Sequence, residues 1–244
     1  YTNVVSPITT KELVDSGSLV PMRVFISKEI DMTGATKIAG EWSEKDITER
    51  GVKITGDIVQ EWIAKTHEIF GRPRKTIVFC AGVAHGEDLV KQFAHAGYNF
   101  VSVSYRDNSE YKREVIEDFS KPDTKIHGLI ATDILTRGFD VPDVMIGVSA
   151  RPFAKSLSSH IQQLGRVMRT HQDKNFALWL DHSGNFLRFK SDWDRVFEEG
   201  VQDLDNQEEV VKAEPTPKEK QEAKSEAVTV LKAIRELDER FATD

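Results

Sequence analysis

The sequence predicts an α/β fold in which helices cover both faces of a parallel sheet. Between residues 56 and 190, short strand-like runs alternate with helical patterns, which is the order expected of such a sheet. Each strand-like run is apolar throughout, as strands buried on both faces are. Hydrophobic residues make up 39% of the 244-residue chain, which is enough for a well-buried core.

The first 55 residues have a different pattern and are predicted to form a connector or arm. Thr9 and Glu12 have the spacing of a helix capping box, which predicts a short helix that ends at Gly17. The segment from Val20 to Ile26 is then typical of a strand. No alternation of helices and strands continues from it, so we treat residues 1–55 as separate from the main domain.

The alternating region contains at least five predicted strands. A helix over Asp57–Phe70 precedes them, because its apolar residues recur at helical spacing and Gly71 ends the pattern. The predicted strands are Thr76–Cys80, Phe100–Ser104, Ile126–Thr132, Val144–Val148 and Phe176–Leu180. The helices between them are predicted at Glu87–Ala96, Ser109–Phe119 and Ser158–Arg169.

The C-terminal part is predicted to be an acidic linker, residues 198–222, followed by an amphipathic helix, residues 223–244. The net charge of the chain is −7, and the segment from Glu198 to Glu226 contributes −6 through ten acidic residues and four lysines. Such a composition is typical of a solvated linker. The terminal helix has an apolar stripe suited to the core, to a protein partner or to a further domain.

Composition also limits the class of protein. No run of eighteen apolar residues occurs and the first ten residues do not resemble a signal peptide, so we expect no membrane partner and a cytoplasmic location. The single cysteine, Cys80, excludes an internal disulfide and a thiolate metal site. The seven histidines have no ligand spacing, so no metal site is predicted.

The first stretch with candidate functional residues runs from Ile130 to Pro142. It leaves a strand at Thr132, passes Gly138 and reaches Asp140 just before a proline. Ligands of parallel sheets bind beyond the carboxyl ends of the strands, so these polar groups are placed where a ligand would lie. An equally good interpretation of this stretch alone is a local turn capped by Asp140.

The second stretch is Gln162-Gln163-Leu164-Gly165-Arg166-Val167-Met168-Arg169. On a helix, spacings of three, four and seven residues put Gln162, Gly165, Arg166 and Arg169 on one face. The 29 residues from Val144 to Gln172 contain Arg151, Lys155 and these two arginines but no acid, which favours an anionic partner. The alternative to a phosphate clamp is a solvated basic face.

Together the two stretches resemble motifs V and VI of superfamily 2 helicases, in the order found in that family. Thr76–Cys80 with His85 and Leu89 is similar to motif IV, and the resemblance covers residues 56–190. It implies a RecA-like fold over residues 56–197, the second of the two halves of a helicase. Leu180–Asn185 also resembles the segment after motif VI in phage and bacterial RadD-like DNA-repair helicases.

The resemblance implies roles for residues that face a nucleotide. Arg169 would be the arginine finger, with Arg166 beside it on the γ-phosphate of ATP. Gln162 would position the nucleotide or the attacking water, and Gly138 with Asp140 would face the nucleotide across the cleft. Such groups stabilise charge on the transferring phosphoryl group.

The resemblance also implies contacts with nucleic acid. Thr132 would bind a phosphate of the strand, and the loop containing Ala81, Gly82 and His85 would offer backbone N–H groups to another phosphate. We expect DNA as the partner, with RNA as the alternative.

Two motifs of a complete helicase do not occur in the sequence. There is neither a Gly-x-x-x-x-Gly-Lys-Ser/Thr loop for phosphate nor an Asp-Glu-x-Asp/His motif for Mg²⁺. We therefore expect ATP and Mg²⁺ to be held mainly by an upstream RecA-like domain, and this chain alone to be inactive. The hypotheses left open are a helicase motor, a translocase or annealing motor, and a binding module that does not hydrolyse ATP. A free-standing dinucleotide-binding fold is disfavoured because residues 81–86 lack Gly-x-Gly-x-x-Gly.

Overall fold

The computed structural model describes residues 8–132 and 139–200 and is built around a six-stranded parallel sheet. The described strands are β1 (Met22–Ile26), β2 (Lys37–Ile38), β3 (Glu41–Trp42), β4 (Thr76–Cys80), β5 (Phe100–Ser104), β6 (Gly128–Thr132), β7 (Ile146–Ala150) and β8 (Ala177–Asp181). The sheet has the order β1-β8-β7-β4-β6-β5, and β2 and β3 form a separate antiparallel hairpin. The predicted α/β fold is confirmed.

Helices cover both faces of the sheet. The described helices are α1 (Thr10–Asp15), α2 (Glu44–Val52), α3 (Thr55–Phe70), α4 (Val83–His95), α5 (Ser109–Ser120), α6 (Leu157–Val167), α7 (Asn185–Arg188) and α8 (Lys190–Glu199). Trp62 of α3 and Phe93 of α4 belong to the apolar core on one face. Phe119 of α5 and Leu164 of α6 belong to the core on the other face. Within the described ranges, no helix is long and apolar enough to span a membrane.

The predicted strands agree with the observed ones to within two residues. β4 and β5 have the predicted bounds, whereas β7 begins at Ile146 rather than at Val144. Val144 is completely buried, but its N–H donates to the carbonyl of Val141 in a turn. Val144 is apolar because the connection before β7 is buried, and for this reason the sequence pattern placed the start of the strand two residues too early.

The N-terminal segment is part of the sheet. β1 pairs with β8 in parallel from Met22 to Ile26, so the residues predicted as a connector supply an edge strand. The predicted capping box of α1 is present, with the Thr9 N–H 2.7 Å from a Glu12 carboxylate oxygen. The boundaries at residues 55, 197 and 222 stay predictions. The predicted terminal helix and all but residues 198–200 of the predicted linker lie outside the described residues.

Candidate functional site

The two predicted motifs meet at the C-terminal end of α6. Arg166 lies in the last turn of α6, and Arg169 follows two residues after the helix ends at Val167. Nη1 of Arg166 donates to the carbonyl oxygen of Phe139 at 3.0 Å, and Nη1 of Arg169 donates to the same oxygen at 3.3 Å. Arg169 also forms an ion pair with the carboxylate of Asp140. We call Arg166, Arg169, Phe139 and Asp140 the arginine cluster.

The helix ends earlier than predicted, and other contacts hold Arg169 beside Arg166. The carbonyl oxygen of Met168 accepts a hydrogen bond from the N–H of Val20 at 2.8 Å, and Leu19 pairs with Arg169 in an isolated antiparallel bridge. The segment just before β1 therefore fixes the backbone that carries Arg169.

The arginine cluster is partly exposed, and its two arginines and one aspartate leave it with one net positive charge. The Asp140 side chain is 74% exposed and that of Arg169 is 30% exposed, so their ion pair is worth only about 0–1 kcal/mol. Burial and the positive charge of Arg169 lower the pKa of the Arg166 guanidinium. An anion that approaches the cluster would relieve this repulsion and would compete with Asp140 for Arg169.

The outer face of α6 is open. Gln162 is exposed, and its Nε2 atom lies 3.5 Å from the hydroxyl of Ser158. A Cβ atom added at Gly165 would meet no atom within 4 Å, and the backbone there is not in the left-handed region. Alanine would therefore fit at position 165 among the described residues. Glycine inside a helix costs about 1 kcal/mol relative to alanine, so packing within the described residues does not account for Gly165. Gly138 of the other motif lies outside them.

Thr132 is at the carboxyl end of β6, where a phosphate contact was predicted. Its side chain is completely buried, and Oγ1 lies 2.9 Å from Sγ of Cys80. Burial raises the pKa of the Cys80 thiol to about 11, so this thiol is protonated and unreactive at neutral pH. The Thr132 hydroxyl is therefore held inside the sheet edge, and its contact with nucleic acid stays a prediction.

α2 covers the residues of the predicted phosphate-binding loop, Ala81, Gly82 and His85, and their contact with nucleic acid stays a prediction. A Cβ atom at Gly82 would lie 2.0 Å from Oγ1 of Thr48, and one at Gly51 would lie 2.5 Å from Nδ1 of His85. The two glycines thus allow α2 to pack directly on the start of α4.

His85 has a structural role under α2. Its Nδ1 atom accepts a hydrogen bond from the N–H of Ala81 at 3.3 Å, which identifies Nδ1 as the unprotonated nitrogen. Burial lowers the pKa of His85 to about 4, so the ring is neutral at physiological pH. A neutral, buried imidazole holds the loop after β4 in shape.

The four basic residues of the acid-free stretch do not form one patch. Arg151 follows β7 and donates to the carbonyl oxygen of Ala81 at 3.2 Å. Lys155 precedes α6, which is eleven residues and so about 16 Å long, whereas Arg166 and Arg169 are at its other end. The carboxylate of Glu41 accepts hydrogen bonds from the N–H groups of Ala154 and Lys155 at 2.7 and 2.9 Å. Among these four described residues, Arg166 and Arg169 share an acceptor, the carbonyl oxygen of Phe139.

Buried polar residues after β8 hold the loop that leads into α6. Asp181 is completely buried and accepts hydrogen bonds from the hydroxyl and N–H of Ser183 and from the N–H of Phe186. The side chain of Asn185 joins the N–H of Phe153 to the carbonyl of Arg151, each at 2.8 Å. The resemblance noted for Leu180–Asn185 thus falls on a structural network.

Sequence reasoning missed Lys174. Its side chain is buried and contacts the end of α6, but nothing in the sequence separates it from a surface lysine. Only its position three residues before the apolar strand β8 is unusual, and that signal is weak.

The arginine cluster suits the phosphates of ATP but provides no metal site. Within residues 8–132 and 139–200, no group of three or more potential ligands is arranged to hold a metal ion. ATP phosphates could approach Arg166 and Arg169 from the open side of α6, whereas ligands for Mg²⁺ would have to come from elsewhere.

Comparison with known proteins agrees with this geometry. Residues 61–171, which include α6 and the arginine cluster, match the family model of the helicase conserved C-terminal domain. The chain is 27% identical over 223 residues to the 51.5 kDa protein of a Lactococcus phage (isolate 7-9), covering 89% of this chain and 47% of the phage protein. It therefore spans about half the length of that relative.

Two solved structures show the same fold. Domain 2 of the DEAD-box helicase Mss116p, bound to an RNA duplex, has a TM-score of 0.51 and 17% identity, over 86% of this chain and 70% of that one. The ATP-dependent type ISP restriction-modification enzyme LlaBIII, bound to DNA, has a TM-score of 0.50 and 16% identity, over 72% of this chain and 13% of that one.

Proposed function

We propose that this chain, which carries the C-terminal RecA-like domain of a superfamily 2 helicase, is the second motor domain of an ATP-dependent helicase or translocase. In this proposal an upstream RecA-like half binds ATP and Mg²⁺, and the two halves close on the nucleotide. The observation that supports it best is the arginine cluster, in which both guanidinium groups converge beside an exposed carboxylate.

The proposed role of the cluster is electrostatic. Arg169 acts as the arginine finger and Arg166 contacts the γ-phosphate, because guanidinium groups stay charged and match phosphate oxygens in pairs. Asp140 holds Arg169 while the site is empty and gives it up when the more strongly charged phosphate arrives. Removal of such a finger lowers turnover by about 10³-fold or more.

The open face of α6 is the proposed contact with the upstream half. Gln162 lies on that face, where it can orient the nucleotide or the attacking water. Gly165 lets the other half approach the helix backbone closely. The face is open in this structure because its partner is a different part of the motor.

The proposed nucleic-acid partner binds at the carboxyl edge of the sheet, near Thr132. DNA is our choice, and LlaBIII shows that the same fold serves a DNA-bound enzyme, whereas domain 2 of Mss116p binds an RNA duplex. Competition between matched DNA and RNA strands for the full-length protein would distinguish the two. The narrower likeness to RadD-like DNA-repair helicases stays a prediction.

The test is the ATPase activity of the full-length protein with Arg169→Ala. We expect the nucleic-acid-stimulated rate to fall by about 10³-fold while strand binding changes little. Arg113→Ala is the matched control, because Arg113 is exposed and pairs only along its own helix with Glu117, at 3.7 Å. Unaltered turnover in Arg169→Ala would overturn the proposed role of Arg169, whereas an unmodified full-length protein without nucleic-acid-stimulated ATPase activity would favour a binding module that does not hydrolyse ATP.

A further inference from the structure

Lys174 is a buried lysine next to the arginine cluster. It lies in the connection between α6 and β8, and it is only 4% exposed. Its Nζ atom donates to three backbone carbonyl oxygens, those of Val167 and Val144 at 2.5 Å each and that of Pro142 at 3.3 Å. An ammonium group has three N–H donors, so each donor has an acceptor.

The three carbonyls belong to the two segments that build the arginine cluster. Val167 is the last residue of α6, lies between Arg166 and Arg169 in sequence, and has a carbonyl without a partner inside the helix. Pro142 and Val144 follow directly after Asp140. One ammonium group therefore joins the end of the helix that carries the arginines to the segment that carries their carbonyl and carboxylate partners.

We propose that Lys174 is a positioning residue for phosphoryl transfer, which holds Arg166 and Arg169 in register with Phe139 and Asp140. This inference rests on the proposed function, because the exact position of the two arginines affects turnover only if they contact ATP. The positive charge of Lys174 at the C-terminal end of α6 also interacts favourably with the negative end of the helix dipole. Misplacement of a catalytic group by about 1 Å lowers rates by about 10²-fold.

A lysine that only fills space would behave differently. Burial of an ammonium group is costly, and its replacement by an apolar side chain of similar volume is often neutral for stability. Lys174→Met keeps the length of the side chain but removes all three donors. If the role is positioning, this variant stays folded and loses turnover.

Lys75 provides the matched control. Its Nζ atom pairs with the carboxylate of Asp143 at 2.6 Å and donates to the carbonyl of Lys121 at 3.1 Å. It therefore contacts the same segment as Lys174, between Pro142 and Val144, but joins it to the end of α5 rather than to the end of α6. Lys75→Met should affect stability without disturbing the arginines.

The experiment compares Lys174→Met, Lys174→Arg, Lys75→Met and Arg169→Ala in the full-length protein. We expect Lys174→Met to lower kcat by about 10-fold to 10²-fold with less than about a twofold change in KM for ATP, because the upstream half holds most of the nucleotide. Lys174→Arg, which keeps the charge and the donors, should recover part of kcat. Lys75→Met should keep kcat within about twofold of the unmodified protein.

A pH profile gives a second measurement that needs no folded methionine variant. Burial lowers the pKa of Lys174 to about 8, against the opposing effect of Asp143. The other titratable and charged groups near it are Lys75, which pairs with Asp143, Arg166, Arg169 and Asp140 of the cluster, and His171 and Asp173 of its own loop. As pH rises through about 8 the ammonium group loses a proton and one donor, so kcat should fall, whereas Lys174→Arg should not show this fall.

The outcomes separate the two proposals. If Arg169→Ala keeps full turnover, the proposed role of Arg169 fails, and the inference fails with it. If Arg169→Ala loses turnover but Lys174→Met keeps the kcat of Lys75→Met, the inference about Lys174 alone is wrong. An identical pH dependence of kcat in the unmodified protein and in Lys174→Arg would also overturn it.

Discussion

The open face of α6 allows a test in which stability and activity change in opposite directions. Gly165 lies inside the helix, and an added Cβ atom would contact nothing within 4 Å. Gly165→Ala should therefore remove the conformational cost of glycine and stabilise the chain by about 0.5–1 kcal/mol. For a chain of this size, such a gain raises Tm by about 1–4 °C.

The same methyl group projects from the face that we propose contacts the upstream half. It would separate the two halves in the closed state, so the nucleic-acid-stimulated ATPase rate of the full-length protein should fall by about 10-fold or more. Thermal unfolding of the chain and steady-state ATPase assays of the full-length protein measure the two effects separately.

Gly56→Ala is the matched control. Gly56 lies in the first turn of α3, and a Cβ atom there would be 3.5 Å from Oε1 of Gln92, an ordinary contact. This substitution should also raise Tm, and it should leave turnover unchanged. If Gly165→Ala raises Tm and keeps full ATPase activity, the open face of α6 is not the closing surface.

Two further predictions concern buried groups on the carboxyl side of β4. The pKa of His85 in the folded chain is about 4, below the ordinary value of 6.5. Between these two pH values the folded chain binds fewer protons than the unfolded chain, so the free energy of unfolding falls as pH decreases. Between pH 6.5 and 5, His85 should account for a loss of about 2 kcal/mol in denaturant titrations, and His85→Asn, which keeps an acceptor near the position of Nδ1, should lose that part of the dependence. An unchanged slope would contradict the burial of His85. Cys80, with its thiol pKa raised to about 11, should resist a thiol reagent at pH 8 until the chain unfolds, and rapid labelling of the folded chain would refute this.

The parts of the fold that depend on local pattern could be predicted from the sequence. β4 is a completely buried run and β5 is a short run rich in aromatic and β-branched residues, and the bounds of both agree with the prediction. The spacing of the second motif predicted that Arg166 and Arg169 share a face, and the helicase resemblance implied that Asp140 faces the same nucleotide; the structure places all three together. Short-range periodicity and motif order were sufficient for these features.

Features that depend on distant contacts could not be predicted. The cover of α2 over Ala81, Gly82 and His85 depends on the close approach of Gly51 to His85 and of Gly82 to Thr48. Nothing in either local sequence specifies these approaches. The burial of Lys174 likewise depends on three carbonyls from two distant segments. Residues of these types usually lie at the surface. Their burial here results from contacts with segments that are far away in the sequence.

The edge strand β1 has a mechanical consequence. Leu19 and Val20 are bound to the backbone of Arg169 and Met168, and β1 then runs beside β8 for five residues in continuous register. Tension along the chain that enters β1 would load those five pairs in shear, so the strand would resist sliding while residues 19 and 20 moved first. A pull on the N-terminal segment would therefore be felt at the backbone of Arg169 before it disturbed the sheet.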